Sequence, residues 1–169
     1  QLIDQGATTQ ISNDSYLDAL TLTDVMLKRV RADVKILARP GFATSLGALK
    51  ETFVQAIERL SKSGGSVRIL TTGSDMPNWL DQLCKQYGGT LAVHKTHPIK
   101  EASFFMVCDS KMTRIEQNHP KSDESVESVE SVESVEPYVP AQVSFNESAS
   151  AKRLEKLFDA LWRQSAPEP

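Results

Sequence analysis

The stretch TFVQAIERLSKSGGSVRILTT, residues 52–72, decides the fold. In its first half the apolar residues have the spacing of a helix, and its second half is a run typical of a strand. Apolar residues recur three or four positions apart in and just before its first half; they are Leu46, Leu49, Phe53, Ile57 and Leu60. This spacing predicts an amphipathic helix over about Ser45 to Ser63. Gly64 and Gly65 then favour the helix end, and SVRILT, residues 66–71, predicts a buried strand.

The alternation of helix and strand continues in both directions from this stretch. Upstream, a helix from Asn13 or Asp14 precedes a short strand at 34–38, which Pro40-Gly41 ends. Downstream, the pattern predicts a third helix, strands at 91–93, 103–109, 112–116 and 143–145, and a final helix through Trp162. Repeated strand–helix–strand units and one hairpin predict an α/β fold: a mixed, mostly parallel sheet with helices on both faces.

Composition fits one globular domain. The chain has 169 residues, of which 40 % are hydrophobic and 24 % charged, and its formal net charge is −3. This charge argues against a generic polyanion-binding protein. No apolar run approaches the ~20 residues of a membrane helix, and no signal-peptide pattern opens the chain. Cys84 and Cys108 are too few for a disulfide framework, so we expect free thiols and a cytoplasmic location.

The acidity is concentrated in one segment. Residues 122–136, SDESVESVESVESVE, hold six acids and no base, and the rest of the chain has 19 basic and 16 acidic residues, a net of +3. The three-residue repeat fits neither a strand nor a helix period. It predicts a solvated, disordered insertion at about 119–139. An acidic tether, or a strip phosphorylated on its serines, is the alternative. We further expect a linker or flexible N-terminus at 1–12, one domain at 13–164 and a flexible tail at 165–169.

Five pieces of the chain, in this order, resemble one repeat of the phospholipase D superfamily. They are ADVKILARP (32–40), TFVQAIERLSKSGGSVRILTT (52–72), YGGTLAVHKTH (87–97), SFFMVCDSKMTRIE (103–116) and SFNESASAKRLEKLFDALW (144–162). The resemblance covers residues 32–162 and implies a phospholipase D-like fold. It also implies a homodimer, because single-repeat members of the family commonly pair across a two-fold axis.

The family's chemistry resides in the motif H-x-K-x4-D. Its histidine attacks phosphorus, its lysine neutralises the phosphate oxygens and its aspartate orients the histidine. With Asp109 as the aspartate, Ala102 stands at the histidine position and Phe104 at the lysine position. The following G-S/G-x-N positions fall on 116–119, which read EQNH, and a glutamate such as Glu116 repels a phosphate. The resemblance therefore implies a degenerate motif and a domain that is not an enzyme.

A rearranged site is the alternative to a lost one. His97 and Lys100 precede the strand in HPIKEASFFMVCD, residues 97–109, but their H-x2-K spacing is wrong by one residue. A slip of one residue turns a strand side chain to the opposite face, and Pro98 favours a loop. A phosphodiesterase or nuclease built around His94, His97 and Lys100 remains the alternative. A plain surface loop, or a basic anchor for an anionic ligand, also fits.

Other site chemistries have little support. His94, His97 and Glu101 do not have the spacing of a zinc site, so we expect no metal. The chain has no G-x-S-x-G nucleophile elbow and no phosphate-binding P-loop, and we expect no cofactor.

A basic cluster lies near the junction of the first helix and the first predicted strand; its members are Lys28, Arg29, Arg31, Lys35 and Arg39. Such a cluster is either a solvated face or an anion-binding patch for nucleic acid, a lipid headgroup or an acidic partner. The chain's own acidic segment is another candidate occupant. The preferred hypothesis is a non-catalytic phospholipase D-like domain with a binding, regulatory or assembly role. It would act as a homodimer or with another domain of a longer protein.

Overall fold

In a computed structural model, the described residues are 8–13, 15–39, 42–72, 76–97, 104–116 and 140–167. Within these ranges the chain forms an eight-stranded sheet with helices on both faces. The strands are β1 (Thr9–Asn13), β2 (Asp33–Ala38), β3 (Ser66–Thr71), β4 (Leu91–Lys95), β5 (Phe105–Cys108), β6 (Met112–Glu116), β7 (Ala141–Phe145) and β8 (Ala166–Pro167). The helices are α1 (Tyr16–Arg29), α2 (Phe42–Gly47), α3 (Lys50–Ser63), α4 (Asn78–Gln86) and α5 (Ser148–Gln164).

The strand order is β1-β7-β6-β5-β2-β3-β4-β8, which confirms a mixed sheet of the α/β class. The expectation that it is mostly parallel is wrong. Only β2–β3 and β3–β4 are parallel, and the five other pairings are antiparallel. Among the described residues, α2 and α3 join β2 to its parallel neighbour β3, and α4 joins β3 to its parallel neighbour β4, whereas β5 to β7 pair in alternating directions.

The sheet separates two hydrophobic layers. Helices α1 to α4 cover one face, where Phe53, Ile57 and Leu60 of α3 are fully buried against the sheet. Helix α5 covers the other face, where Phe158 packs against Leu37 of β2. The two layers follow from the period of a strand, since alternate residues point to opposite faces.

Local signals explain most helix ends. The Ser15 hydroxyl accepts a 3.1 Å hydrogen bond from the Asp18 N–H and caps α1, so the cap is Ser15 and not Asn13 or Asp14. Gly64 ends α3 in the left-handed conformation at φ 75°, as its sequence position predicted.

The predicted helix Ser45–Ser63 is two helices. The Leu49 N–H bonds the Leu46 carbonyl at 3.0 Å, a tight turn that ends α2 and lets α3 begin at Lys50. Gly47, a weak helix former, lies at this break.

Both chain ends extend the sheet further than expected. The expected linker at 1–12 is wrong over its last residues, because β1 pairs with β7 from Thr9 onward. Likewise Ala166 and Pro167 of the expected tail pair with Lys95 and His94 of β4. The expected acidic insertion, 119–139, lies outside the described residues. No helix among the described residues has the length and apolarity that crossing a bilayer requires.

Candidate functional site

The carboxyl ends of β2, β3, β4 and β6 lie at one edge of the sheet. Strands β3 and β4 are parallel to β2, and two successive antiparallel pairings, β2–β5 and β5–β6, give β6 the direction of β2. Ala38, the last residue of β2, and Glu116, the last residue of β6, therefore both lie at this edge. Phe104, the residue before β5, lies there as well. Ligands of open α/β sheets bind outside such an edge, so it is the candidate site.

A buried glutamate lies between two arginines at this edge. Glu116 Oε1 is 2.6 Å from Arg114 Nη1, and Glu116 Oε2 is 3.2 Å from Arg39 Nε. The glutamate side chain is 9 % exposed, and those of Arg114 and Arg39 are 13 % and 22 % exposed. We call these three residues the Glu116 cluster. The Glu116 carboxylate is paired with both arginines and offsets one of their two positive charges, so that the buried cluster has a net charge of +1.

Phe104, which the sequence comparison aligned with the lysine of the motif, lies next to Glu116. Its ring packs against the hydrophobic layer under α5, and its carbonyl accepts a 2.9 Å hydrogen bond from the Glu116 N–H. The bond extends the β5–β6 pairing to the site and fixes Glu116 beside Phe104. Ala102 and the positions 117–119 lie outside the described residues.

Little free volume remains beside the Glu116 cluster. A cavity of about 20 Å³ is lined by Arg39, Phe42, Phe104, Arg114 and Glu116, among others. Such a volume holds about one water molecule. Among the described residues, the space beside the Glu116 cluster is therefore too small for a phosphate ester.

Asp109 lies at the opposite end of β5 from Phe104. Its carboxylate accepts three backbone hydrogen bonds of 2.8–3.0 Å, from the N–H groups of Arg31, Ala32 and Asp33. Its own backbone is left-handed, at φ 53°, and its N–H returns a 2.9 Å bond to the Asp33 carbonyl. Asp109 therefore joins the β5–β6 turn to the start of β2.

Of the alternative site around His94, His97 and Lys100, the described residues include only the two histidines. His94 stacks on Trp162 of α5, with ring centroids 3.8 Å apart, and its Nδ1 is 2.9 Å from the Ser165 hydroxyl. Burial lowers the pKa of His94 and favours the neutral imidazole. His97 is exposed just beyond β4, and Lys100 and Glu101 lie outside the described residues.

The five residues of the predicted basic cluster do not form one patch. Lys35 is buried under α5, and Arg39 belongs to the Glu116 cluster. Lys28 pairs with Asp24 of its own helix at 2.7 Å. Arg31 and Arg39 flank the six-residue strand β2, whose ends are about 20 Å apart at 3.3 Å per residue. The prediction of a single patch is wrong because the strand carries its basic residues to different faces and ends.

A second ionic cluster, which sequence reasoning missed, joins α5 to the sheet. Lys35 Nζ is 3.3 Å from both Glu155 Oε1 and Asp159 Oδ2, and Arg68 Nη2 is 3.4 Å from Asp159 Oδ1. The Arg68 guanidinium also lies 5.6 Å from the ring centroid of Phe158. The available signal was the lysine inside the apolar strand VKILA, together with two acids four residues apart on the last helix.

Metal and thiol chemistry have no site in the described part of the chain. No three His, Cys, Asp or Glu side chains there come close enough to hold a metal ion. Cys84 and Cys108 are free, and burial raises the pKa of both thiols, which disfavours the reactive thiolate.

Comparisons with known proteins identify solved structures of similar fold but no close relative by sequence. No protein-family model and no curated protein matches the chain. Among solved structures it is similar to Nuc of Salmonella typhimurium, a phospholipase D family member. That match has a TM-score of 0.64 at 11 % identity and covers 96 % of this chain and 97 % of Nuc. NucT of Helicobacter pylori matches with a TM-score of 0.60 at 11 % identity, over 96 % of this chain and 99 % of NucT.

A third similar structure is TrmBL2, an archaeal chromatin protein described as having a novel mode of DNA binding. The TM-score is 0.63 at 14 % identity, over 94 % of this chain but only 54 % of TrmBL2, so the chain spans about half the length of that protein. The order of elements and the likeness to Nuc and NucT over nearly their whole length lead to one conclusion. This chain has the phospholipase D-like fold.

Proposed function

We propose that this chain is a non-catalytic phospholipase D-like domain that works by binding, regulation or assembly. The observation that carries the proposal is Glu116, a buried carboxylate between Arg39 and Arg114 at the carboxyl edge of the sheet. A phosphate ester at this edge would have to displace the Glu116 carboxylate, which already occupies both arginines in a poorly solvated place where repulsion between like charges is strong.

The side chains that the family's reaction needs also support the proposal. Phosphoryl transfer through a covalent intermediate requires a nucleophile and a cation that neutralises the phosphate oxygens. In this sequence the two positions hold Ala102 and Phe104, and neither side chain supplies a lone pair or a charge. Phe104 instead contributes to the hydrophobic layer under α5.

The rearranged phosphodiesterase around His94, His97 and Lys100 is the weaker candidate. The His94 ring is stacked on Trp162 and its Nδ1 is engaged with Ser165, so only its Nε2 could serve a substrate. A general acid–base or nucleophilic histidine needs its free nitrogen within hydrogen-bond reach of the reacting group.

Phosphodiesterase turnover tests the two candidates together. We would assay bis-p-nitrophenyl phosphate and labelled DNA and RNA, with and without a chelator, for the wild-type chain and for His97→Ala. We expect no turnover. Hydrolysis by the wild-type protein that survives chelation and disappears in His97→Ala would contradict the proposal and establish the rearranged site.

The proposed partners are a second copy of the chain or another domain of a longer protein. Nucleic acid or an acidic partner is a further candidate. The free thiols Cys84 and Cys108 fit the cytoplasmic location that we propose. Sedimentation at tens of micromolar protein tests self-association, and a strict monomer would contradict the homodimer.

DNA binding has support from the similarity to TrmBL2 and from the basic side chains at the end of α1. We would measure the affinity for labelled duplex at low and high salt, for wild type and for a chain with Arg29→Glu and Arg31→Glu. Electrostatic binding falls steeply with salt and with charge reversal. Lys85→Glu, at an exposed lysine of α4, is the control, and equal affinity of all three proteins would rule out this surface.

A further inference from the structure

We propose that Arg39 and Arg114 form an anion-binding site whose resident anion is the carboxylate of Glu116, so that the domain is closed to phosphate groups by its own side chain. The inference rests on the proposed function and deepens it, because it names the ligand class that the site would take. That class is a free tetrahedral oxyanion, with inorganic phosphate as the probe.

The geometry of the pair supports an anion site. Arg39, the residue after β2, and Arg114 of β6 approach the two oxygens of one carboxylate, at 3.2 Å and 2.6 Å. Guanidinium groups bind phosphate and carboxylate oxygens in closely similar geometry, so a site built for one accepts the other when there is room. With Glu116 in place the cluster carries a net charge of +1, and without it two buried cations face each other.

The hydrogen bonding of the cluster is incomplete, which also favours an oxyanion. Among the described residues, neither Arg114 Nε nor Glu116 Oε2 has a hydrogen-bond partner, although both atoms are buried. Glu116 Oε2 lies within ion-pair distance of Arg39 but without hydrogen-bond geometry. A carboxylate has two oxygens in one plane. A phosphate presents its oxygens in several directions and offers acceptors to donors that a carboxylate leaves unused.

Volume, together with charge, keeps phosphate out of the wild-type site. The adjoining cavity is about 20 Å³, enough for about one water molecule and too small for a phosphate. Replacement of Glu116 by alanine removes both the charge and the volume of the carboxylate. Replacement by glutamine removes the charge and keeps the volume, which makes Glu116→Gln the matched control.

Thermal unfolding in phosphate tests the site. We would measure Tm for wild type, Glu116→Ala and Glu116→Gln in potassium phosphate and in potassium chloride of equal ionic strength. We expect a gain for Glu116→Ala alone, of about 3–5 °C at a phosphate concentration ten times Kd. The gain should disappear when Arg114→Met is added. Asp81→Ala, which removes an exposed carboxylate paired with Lys85, controls for non-specific effects of phosphate.

The result that would overturn the inference is an alanine variant whose Tm in phosphate equals its Tm in chloride. An equal gain in the Arg114→Met background would also overturn it. If Glu116→Ala does not fold in chloride, refolding in phosphate becomes the readout: rescue by phosphate supports the site, and failure in both salts contradicts it. Because no step measures turnover, this test can fail while the non-catalytic proposal stands, and the reverse also holds.

Discussion

The imidazole of His94 stacks on the indole of Trp162, with ring centroids 3.8 Å apart and planes inclined by 12°. Trp162 in turn stacks on Phe158, at 5.6 Å, and Phe158 is fully buried under α5. The stack joins β4 to the last helix. His94 is thus part of the contact that holds α5 on the sheet, on the face opposite to α1–α4.

We expect His94→Ala to lower the free energy of unfolding by about 1.5 kcal/mol, since it removes the stacking contact and the hydrogen bond to Ser165. His94→Phe, the matched control, keeps a ring against Trp162 and should lose less. Urea denaturation measures both. Equal loss in the two variants would show that the stacking contributes nothing.

The same histidine makes the stability depend on pH. Burial lowers the pKa of His94 in the folded protein, so between that pKa and the ordinary value of about 6.5 the unfolded chain binds more protons. The contribution of His94 is therefore present above pH 6.5 and is lost as the pH falls through the folded pKa. Wild-type stability should decrease over this interval by more than that of His94→Phe. Parallel pH curves for the two proteins would contradict the assignment.

Regular patterns in the sequence predicted most of the fold. The strand 66–71, the hairpin strand 112–116 and the left-handed Gly64 agree with the structure because each depends on local periodicity or backbone freedom. The two outer strands were missed for the opposite reason. Strand β1 and the two-residue strand β8 are defined by pairing with distant strands, β7 and β4, and their own residues carry no period.

The sequence predicted which residues belong to the candidate site but not which of them contact each other. The sequence placed Phe104 and Glu116 at two motif positions and indicated that Glu116 would repel phosphate. It contained no sign that Arg39 and Arg114 would converge on that glutamate, because the sheet brings them together from β6 and from the end of β2. The prediction of one basic cluster was wrong for the same reason. Its residues are close in the sequence but lie at different faces and ends of the strand.

Lys35→Met should destabilise the fold strongly. Lys35 is 8 % exposed and lies between Glu155 and Asp159, so its loss leaves the 13 % exposed carboxylate of Glu155 without this cation, whereas Asp159 is 44 % exposed and keeps Arg68. Removal of one partner of a buried ion pair costs about 3 kcal/mol. Lys28→Met is the control, because Lys28 pairs with Asp24 on the exposed side of α1 and should matter little. Chemical denaturation measures the free energy of unfolding of both variants. Similar stabilities would refute a structural role for the second ionic cluster.

Asp109 should matter for stability through its three backbone acceptor bonds. Asp109→Ala leaves the N–H groups of Arg31, Ala32 and Asp33 without these acceptors and places a less tolerant residue at φ 53°. We expect a loss of about 3 kcal/mol for alanine. We expect about 1 kcal/mol for Asp109→Asn, which keeps one side-chain oxygen and tolerates the left-handed backbone. Equilibrium unfolding in urea would contradict this account if the asparagine variant were as unstable as the alanine variant.

Gly65→Ala tests the close approach of α3 to the start of β2. A Cβ atom at Gly65 would lie 2.3 Å from the Ala32 carbonyl oxygen and 2.7 Å from Leu60 Cδ2, so the backbone would have to move. The same carbonyl accepts the 3.0 Å hydrogen bond from the Ser66 N–H, where the parallel β2–β3 pairing begins. A shift of Ala32 therefore weakens the central pair of strands as well as the packing under α3.

We expect Gly65→Ala to cost about 2–3 kcal/mol, the range for overpacking in a core that cannot relax. Gly89→Ala is the matched control, because a Cβ there would have no neighbour within 4 Å. Its Tm should equal that of wild type or exceed it slightly, since alanine reduces the conformational freedom of the unfolded chain. Calorimetry of the two variants gives the comparison. A Gly65→Ala protein as stable as Gly89→Ala would mean that β2 can shift at Ala32 without loss, and that the register of the central strands does not depend on this contact.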